Sequence, residues 1–141
     1  MNGRQFSPWT IGRFSIVPEG MEPPGDGIPL FLGRKGAFGS GEHETTASCL
    51  ETTGGLAGIA SARVLDLGSG TGILAIAAAK LGAASVVAID LDWRAAASCA
   101  DNVRINGEES RVTTICGELA CLGHQKFDLI LANIYADILH R

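Results

Sequence analysis

The sequence has few aromatic residues and no concentration of positive charge. Aromatic side chains make up 6% of the 141 residues, and 11 Lys and Arg residues stand against 15 Asp and Glu residues, which gives a net charge of −4. No run of Lys or Arg occurs anywhere in the chain. Electrostatic binding to nucleic-acid phosphates or to anionic lipids is therefore not favoured.

Long apolar runs and paired cysteines are also missing. No stretch approaches the ~20 apolar residues that span a bilayer, and residues 1–5 lack the apolar block of a signal peptide. Four cysteines are present, but no Cys-x-x-Cys pair and no His at a zinc-ligand spacing. We therefore expect a cytoplasmic protein with no membrane segment, no metal site and reduced, mostly buried thiols.

The composition does support an apolar core. Hydrophobic residues make up 46% of the chain and charged residues 18%, which is typical of one globular domain. All five prolines lie within residues 1–36, where short β-type runs at residues 14–17 and 28–32 predict a small arm or ribbon. Pro29 marks the second run as an edge strand. We expect residues 37–141 to form the domain that carries the chemistry.

From residue 63 onward the pattern alternates between apolar runs and helical segments. Strands are predicted at residues 64–67, 85–90, 111–116 and 127–132. Helices are predicted at residues 45–52, 73–81 and 93–105. Such alternation predicts an α/β fold with a mostly parallel sheet and helices on both faces.

The segment Asp66-Leu67-Gly68-Ser69-Gly70-Thr71-Gly72 joins the first predicted strand of this series to its helix. Glycines allow positive φ and close approach of a ligand, and the helix that follows offers free N–H groups to an anion. The spacing is G-x-G-x-G, with Ile73 where a dinucleotide fingerprint has its last glycine, and no P-loop motif occurs. We predict a cofactor site that includes Asp66.

A second acid, Asp90, ends the next predicted strand, 18 residues after Gly72. At this distance an acid accepts hydrogen bonds from ribose hydroxyls in nucleotide-binding βαβ units. Asp92 is interpreted as the N-cap of the following helix. Trp93 is expected to pack in the core rather than to contact an adenosine.

Residues 64–72 and 87–92 resemble the first and second motifs of class I S-adenosylmethionine-dependent methyltransferases. Residues 37–46, Ala-Phe-Gly-Ser-Gly-Glu-His-Glu-Thr-Thr, resemble more narrowly a loop of the PrmA family, whose members methylate ribosomal protein L11. Residues 73–78, 101–107 and 127–139 are similar as well. The resemblance implies a Rossmann-like fold whose first four strands lie in the order 3-2-1-4, with S-adenosylmethionine as cofactor.

The resemblance also implies roles for matching positions. Gly68 and Gly70 would line the methionine end of the cofactor, and Phe38 and Thr46 would lie over it. Elsewhere along the cofactor, Asp90 would hold the ribose, Glu118 would flank the adenine, and Asn133 would contact the methyl group. Asn133 is also the candidate catalytic residue, because its side chain can accept an N–H bond from the incoming amine.

The sequence departs from the family at both ends. We expect the chain to lack the family's N-terminal substrate-recognition domain. The resemblance also implies more strands than the four predicted, so we expect a catalytic domain truncated after residue 141. The expected partner is a protein, possibly ribosomal, and the last predicted strand would leave a sheet edge open to oligomerisation.

Three alternatives to protein amino-group methylation stay open. The methyl acceptor could be a small molecule or a nucleic acid, although Asn133 is followed by Ile-Tyr rather than by prolines and the chain is acidic. The chain could be a non-catalytic, cofactor-binding fragment that needs a partner. A nicotinamide-dependent dehydrogenase is disfavoured by Ile73.

Overall fold

The computed structural model describes residues 8–33 and 43–132, apart from the side chains of Trp9 and of residues 43–46. The predicted loop residue Phe38 and the predicted catalytic residue Asn133 lie outside the described residues. The strands are β1 (Trp9–Ile11), β2 (Phe14–Pro18), β3 (Ile28–Leu32), β4 (Arg63–Leu67), β5 (Ser85–Asp90), β6 (Val112–Cys116) and β7 (Leu129–Ala132). The helices are α1 (His43–Gly54), α2 (Ile73–Lys80), α3 (Trp93–Ile105) and a 3₁₀ helix (Leu119–Leu122).

The main sheet contains four parallel strands in the order β6-β5-β4-β7. Counted along the chain from β4, this is the order 3-2-1-4. Its strands are short and rich in Val, Ile and Leu, as strands buried in parallel sheets are. The order reverses direction at β4, and the carboxyl end of a strand at such a reversal is where ligands bind in open α/β sheets.

The helices of the described residues lie on one face of this sheet. Side chains of α1, α2 and α3 share one core cluster with Val64, Val86, Ala88, Val112 and Leu131 of the strands. The alternate strand residues point the other way, where Leu65, Ile89 and Leu122 form a small second cluster. Among the described residues, the three α-helices thus cover one face, and the 3₁₀ helix lies on the other.

Strand order explains this one-sidedness. The crossovers from β4 to β5 and from β5 to β6 step in the same direction across the sheet, so two right-handed connections place α2 and α3 on the same face. The connection from β6 to β7 steps in the opposite direction and passes over the other face. Its only helical part is the 3₁₀ helix, which contributes Leu122 there.

The N-terminal strands form a separate three-stranded sheet in the order β1-β2-β3. Strand β1 is antiparallel to β2, whereas β3 is parallel to β2 and occupies an edge, as Pro29 predicted. Buried side chains of this sheet, among them Phe14 and Leu30, belong to the same core cluster as α2. The predicted ribbon is thus packed on the helix-covered side of the main sheet.

Two expectations about individual side chains are wrong. Trp93 is 67% exposed rather than part of the core, because it occupies the first turn of α3 on the side away from the sheet. The thiols are not mostly buried: Cys99 is buried and Cys49 is partly buried, but Cys116 and Cys121 are exposed. Within the described residues no helix has both the length and the apolarity needed to cross a membrane.

Candidate functional site

The glycine turn between β4 and α2 has the backbone that the sequence predicted. Gly68, Gly70 and Gly72 have φ angles of 69°, 56° and 85°, a region that residues with side chains rarely adopt. The Gly68 and Ser69 N–H groups donate to the carbonyl oxygen of Ile89 at 2.9 and 3.2 Å. The turn is therefore fastened to the carboxyl end of β5.

The last glycine of the turn is required by packing as well as by φ. A Cβ atom placed on Gly72 would lie 2.6 Å from Sγ of Cys99, a buried residue of α3. Burial also raises the pKa of the Cys99 thiol, so this sulfur acts as a small apolar group. Gly72 thus lets α3 approach the start of α2 closely.

Asp90 contacts the glycine turn directly. Its Oδ2 accepts a hydrogen bond from the Gly70 N–H at 3.0 Å, and its Oδ1 accepts one from the Asp92 N–H at 2.9 Å. A carboxylate has about four acceptor positions, so Asp90 retains capacity for two further donors. Asp92 itself caps α3 through the Arg94 N–H at 2.9 Å, which confirms the predicted N-cap.

Asp66 is a buried acid without a hydrogen-bond partner. Its side chain is on the helix-covered face, the residue is 1% exposed, and neither carboxylate oxygen is hydrogen-bonded among the described residues. Burial raises the pKa of Asp66 to about 7. The nearby Ala75 N–H lowers this pKa, although it does not reach hydrogen-bond geometry, and the charge of Asp90 raises the pKa further. Such a group is completed by a proton or by a cationic ligand.

The end of β6 lies beside the end of β5. The Gly117 N–H donates to the Asp90 carbonyl oxygen at 3.0 Å, which brings the loop after β6 against the loop after β5. Glu118 is exposed at this junction. Two apolar side chains, Leu91 and Leu119, are exposed in the same two loops. Exposed leucines next to an acid form a suitable surface for a flat, partly polar ring.

Asn102 is a contact residue that sequence reasoning missed. Its buried side chain donates from Nδ2 to the carbonyl oxygen of Thr71, inside the glycine turn, at 2.9 Å. Its position in the sequence was the available signal, because Asn102 shares the buried face of an amphipathic helix with Cys99 and Val103. A polar residue there needs a partner.

The structure brings some of the predicted site residues together. Hydrogen bonds join Gly70 to Asp90 and Gly68 to the carboxyl end of β5, the strand that ends at Asp90. Asp66 lies near the end of the adjacent strand β4. Glu118 follows at the neighbouring strand end. Thr46 lies in α1, and its side chain is not among those described.

Comparison with known proteins gives a consistent set of relatives. Residues 1–141 match the family model described as "Ribosomal protein L11 methyltransferase (PrmA)". A ribosomal protein L11 methyltransferase of Desulfitobacterium hafniense is 44% identical over 137 residues, covering 95% of this chain and 43% of that protein. One of Pelobacter propionicus is 43% identical over 143 residues, covering 96% and 46%. The chain spans less than half the length of these curated relatives.

Solved structures share the fold. A ribosomal protein L11 methylase of Lactobacillus delbrueckii has a TM-score of 0.71 and 37% identity, covering 90% of this chain and 65% of that one. The PRMT1 enzyme–prozyme complex of Trypanosoma brucei, determined with AdoHcy, has a TM-score of 0.57 and 35% identity, covering 64% and 28%. The sheet and helices described above are therefore those of a class I methyltransferase.

Proposed function

This chain belongs to the ribosomal protein L11 methyltransferase family, PrmA, and we propose that it forms the cofactor-binding part of a methyltransferase that uses S-adenosylmethionine. The observation that carries this proposal is the pairing of two acids with one glycine turn. Asp90 accepts a hydrogen bond from the Gly70 N–H and keeps free acceptor capacity, while Asp66 is buried beside the turn with no hydrogen-bond partner among the described residues. Residues 37–141 would form the cofactor-binding domain and residues 1–36 its N-terminal arm.

The chemistry of these residues fits the proposed cofactor. Asp66 offers an unpartnered carboxylate of the kind that a methionine ammonium group would complete. Gly68 and Gly70 would line the methionine end, and the two ribose hydroxyls suit the remaining acceptor positions of Asp90. The loops after β5 and β6, with Glu118, suit a purine ring.

Bound S-adenosylmethionine supplies a methyl group that its sulfonium makes electrophilic. The protein's task is then to position the acceptor and exclude water, rather than to form a covalent bond. The glycine turn and Asp90 fix the orientation of the bound molecule. Asn133 is proposed to accept an N–H bond from the incoming amine and so aim the lone pair of that amine, and Phe38 and Thr46 are proposed to cover the methionine end.

The proposed acceptor is an amino group of ribosomal protein L11. Support comes from the named activity of the relatives in the same family. The net charge of −4 is compatible with a basic protein substrate. Because the chain spans less than half the length of these relatives, both the acceptor and the transfer itself are proposals for the whole protein.

A second candidate function is cofactor binding without catalysis. The observation that favours it is the sheet face opposite the helices, where Val87, Ile115 and Phe127 are only partly buried. In such a protein, a further polypeptide or a second copy would pack against this face. Size-exclusion chromatography with mass detection separates these cases: a stable monomer of 14.6 kDa argues against pairing.

Isothermal titration with S-adenosylmethionine tests the cofactor half of the proposal. We expect saturable binding by the chain and at least a tenfold loss in Asp90→Ala, since about two charge-assisted hydrogen bonds would disappear. Asp101→Ala is the control, because Asp101 is an exposed acid on α3 whose hydrogen bond is to Arg104. Absence of binding by the folded chain, or binding of NADH instead, would refute the proposal.

Transfer is tested separately with methyl-labelled S-adenosylmethionine and purified ribosomal protein L11. Label incorporated into lysine or another amine of that protein supports protein methylation, and label incorporated into RNA supports the nucleic-acid alternative. Binding of S-adenosylmethionine without transfer to either acceptor supports the second candidate function, cofactor binding without catalysis.

A further inference from the structure

Two asparagines one turn apart, Asn102 on α3 and Asn106 at its C-cap, hold the N-terminal sheet. Asn102 and Asn106 are both buried. The Oδ1 atom of Asn102 accepts from the Gly33 N–H at 2.8 Å. The Oδ1 atom of Asn106 accepts from the Phe31 N–H at 2.8 Å, and its Nδ2 donates to the Phe31 carbonyl oxygen at 2.7 Å. Because each partner is an obligatory donor or acceptor, the orientation of both amides is fixed.

These side chains occupy the open edge of β3. Within the described part of the chain β3 pairs with β2 alone, and its Leu32 carbonyl accepts from the Glu19 N–H on that inner side at 2.8 Å. Phe31 and Gly33 direct their groups outward, as alternate residues of a parallel strand do. Their spacing along the strand is about 6.6 Å, close to the rise of about 6 Å over four residues of a helix. The two amides therefore substitute for a neighbouring strand.

Asn102 also reaches the glycine turn from the same amide group. Its Nδ2 donates to the Thr71 carbonyl oxygen at 2.9 Å, while its Oδ1 holds Gly33. One buried side chain thus connects Gly33, the residue after β3, to the turn whose Gly70 N–H donates to Asp90. The Asn106 side chain has no hydrogen bond to the described residues of the turn; its remaining side-chain hydrogen bond goes to the Asn102 carbonyl oxygen at 2.8 Å.

We propose that Asn102 is a positioning residue for the cofactor site, which sets the Thr71 carbonyl and thereby couples the N-terminal sheet to the glycine turn. The inference rests on the proposed function, since the molecule bound by the turn is S-adenosylmethionine. Its basis is the single amide bridging Gly33 and Thr71. With Thr71 held, the neighbouring Gly70 N–H stays directed at Asp90 and the turn is ready for the ligand before it arrives.

Two variants separate this role from a contribution to stability alone. Asn102→Asp keeps an oxygen for Gly33 but replaces the donor to Thr71 with an acceptor, so two oxygens face each other. Asn106→Asp makes the same chemical change in the same pair of amides without touching the turn. We expect Asn102→Asp to weaken S-adenosylmethionine binding about tenfold and Asn106→Asp to change it less than about twofold. Titrations are done at a temperature where thermal unfolding shows both variants folded.

Hydrogen exchange on the unmodified chain gives a second measurement that needs no variant. On adding S-adenosylmethionine, the Gly33 amide should exchange more slowly together with Gly70 and Gly72, although Gly33 directly follows β3 of the N-terminal sheet. Equal losses of affinity in both variants, or unchanged Gly33 exchange while the turn becomes protected, would overturn the coupling. Failure of the unmodified chain to bind at all would instead refute the proposed function.

Discussion

The two faces of the main sheet differ in how completely their side chains are buried. On the face covered by α1, α2 and α3, the strand residues Val64, Val86 and Ala88 are fully buried in one large cluster. On the opposite face, Val87, Ile115 and Phe127 are partly buried around a cluster of three buried residues. The site elements, the glycine turn and Asp66, belong to the tightly packed side. A site on that side is preorganised by its surroundings, so substitutions there should lower the free energy of unfolding most.

The largest effect is expected from Gly72→Ala. The new Cβ would lie 2.6 Å from Sγ of Cys99, and the residue would keep a φ of +85°. We expect a loss of roughly 3–5 kcal/mol in the free energy of unfolding, measured by urea denaturation. Gly107→Ala is the control, because it has a φ of +70° but nothing within 4 Å of its Cβ. It should lose about 1 kcal/mol, and equal losses in both variants would disprove the packing account.

Asp66 should make the packed face sensitive to pH. Its pKa of about 7 lies above the ordinary 3.8, so the folded chain holds a proton that the unfolded chain releases. Stability from this group is present at low pH and declines as pH rises through about 7, by up to about 1.4 kcal/mol per pH unit. Urea denaturation from pH 5 to pH 8 measures the decline. Asp66→Asn should flatten it, and an unchanged slope in that variant would count against this assignment.

Paired substitutions on β5 compare the two faces directly. Val86 points to the helix-covered face and Val87 to the opposite one. We expect Val86→Ala to lose about 2 kcal/mol of unfolding free energy and Val87→Ala less than half as much. Equal losses, measured by urea denaturation under one set of conditions, would mean that the second face is as well packed as the first.

The smallest effect on stability is expected for Ile130→Lys. Ile130 lies on β7, on the less covered face, and is 57% exposed. A lysine there should change the free energy of unfolding by within about 0.5 kcal/mol, while reducing any self-association seen by light scattering. If association persists in the variant, this face is not the surface through which copies meet.

The sequence predicts the strands and helices of the main sheet well because each is an apolar run bounded by glycine or a polar cap. The sequence does not predict strand β1, because three residues are too few to show the alternation of apolar and polar side chains that marks a strand. The alternation of apolar runs predicts which elements form, whereas the direction of each crossover decides on which face of the sheet each helix lies. Trp93 is misjudged since a helix pattern does not reveal which side of its first turn meets solvent.

The candidate site is predicted unevenly for a similar reason. Gly68, Gly70 and Asp90 stand in a local pattern that fixes their geometry, and the hydrogen bond between Gly70 and Asp90 follows from it. The role of Asn102 depends on Gly33, 69 residues away along the chain. No local pattern contains such a contact, and only the docking of the N-terminal sheet on α3 creates it.

The order of strands has a kinetic consequence for the site. In the β4–α2–β5 unit, Arg63 pairs with Ser85, 22 residues later, whereas Val64 pairs with Leu129, 65 residues later. Closing the shorter loop costs less chain entropy, so we expect this unit to be structured in the folding transition state and β7 to join afterwards. Folding rates should then respond strongly to Val64→Ala and weakly to Leu131→Ala. The glycine turn and Asp90 both lie within this early unit.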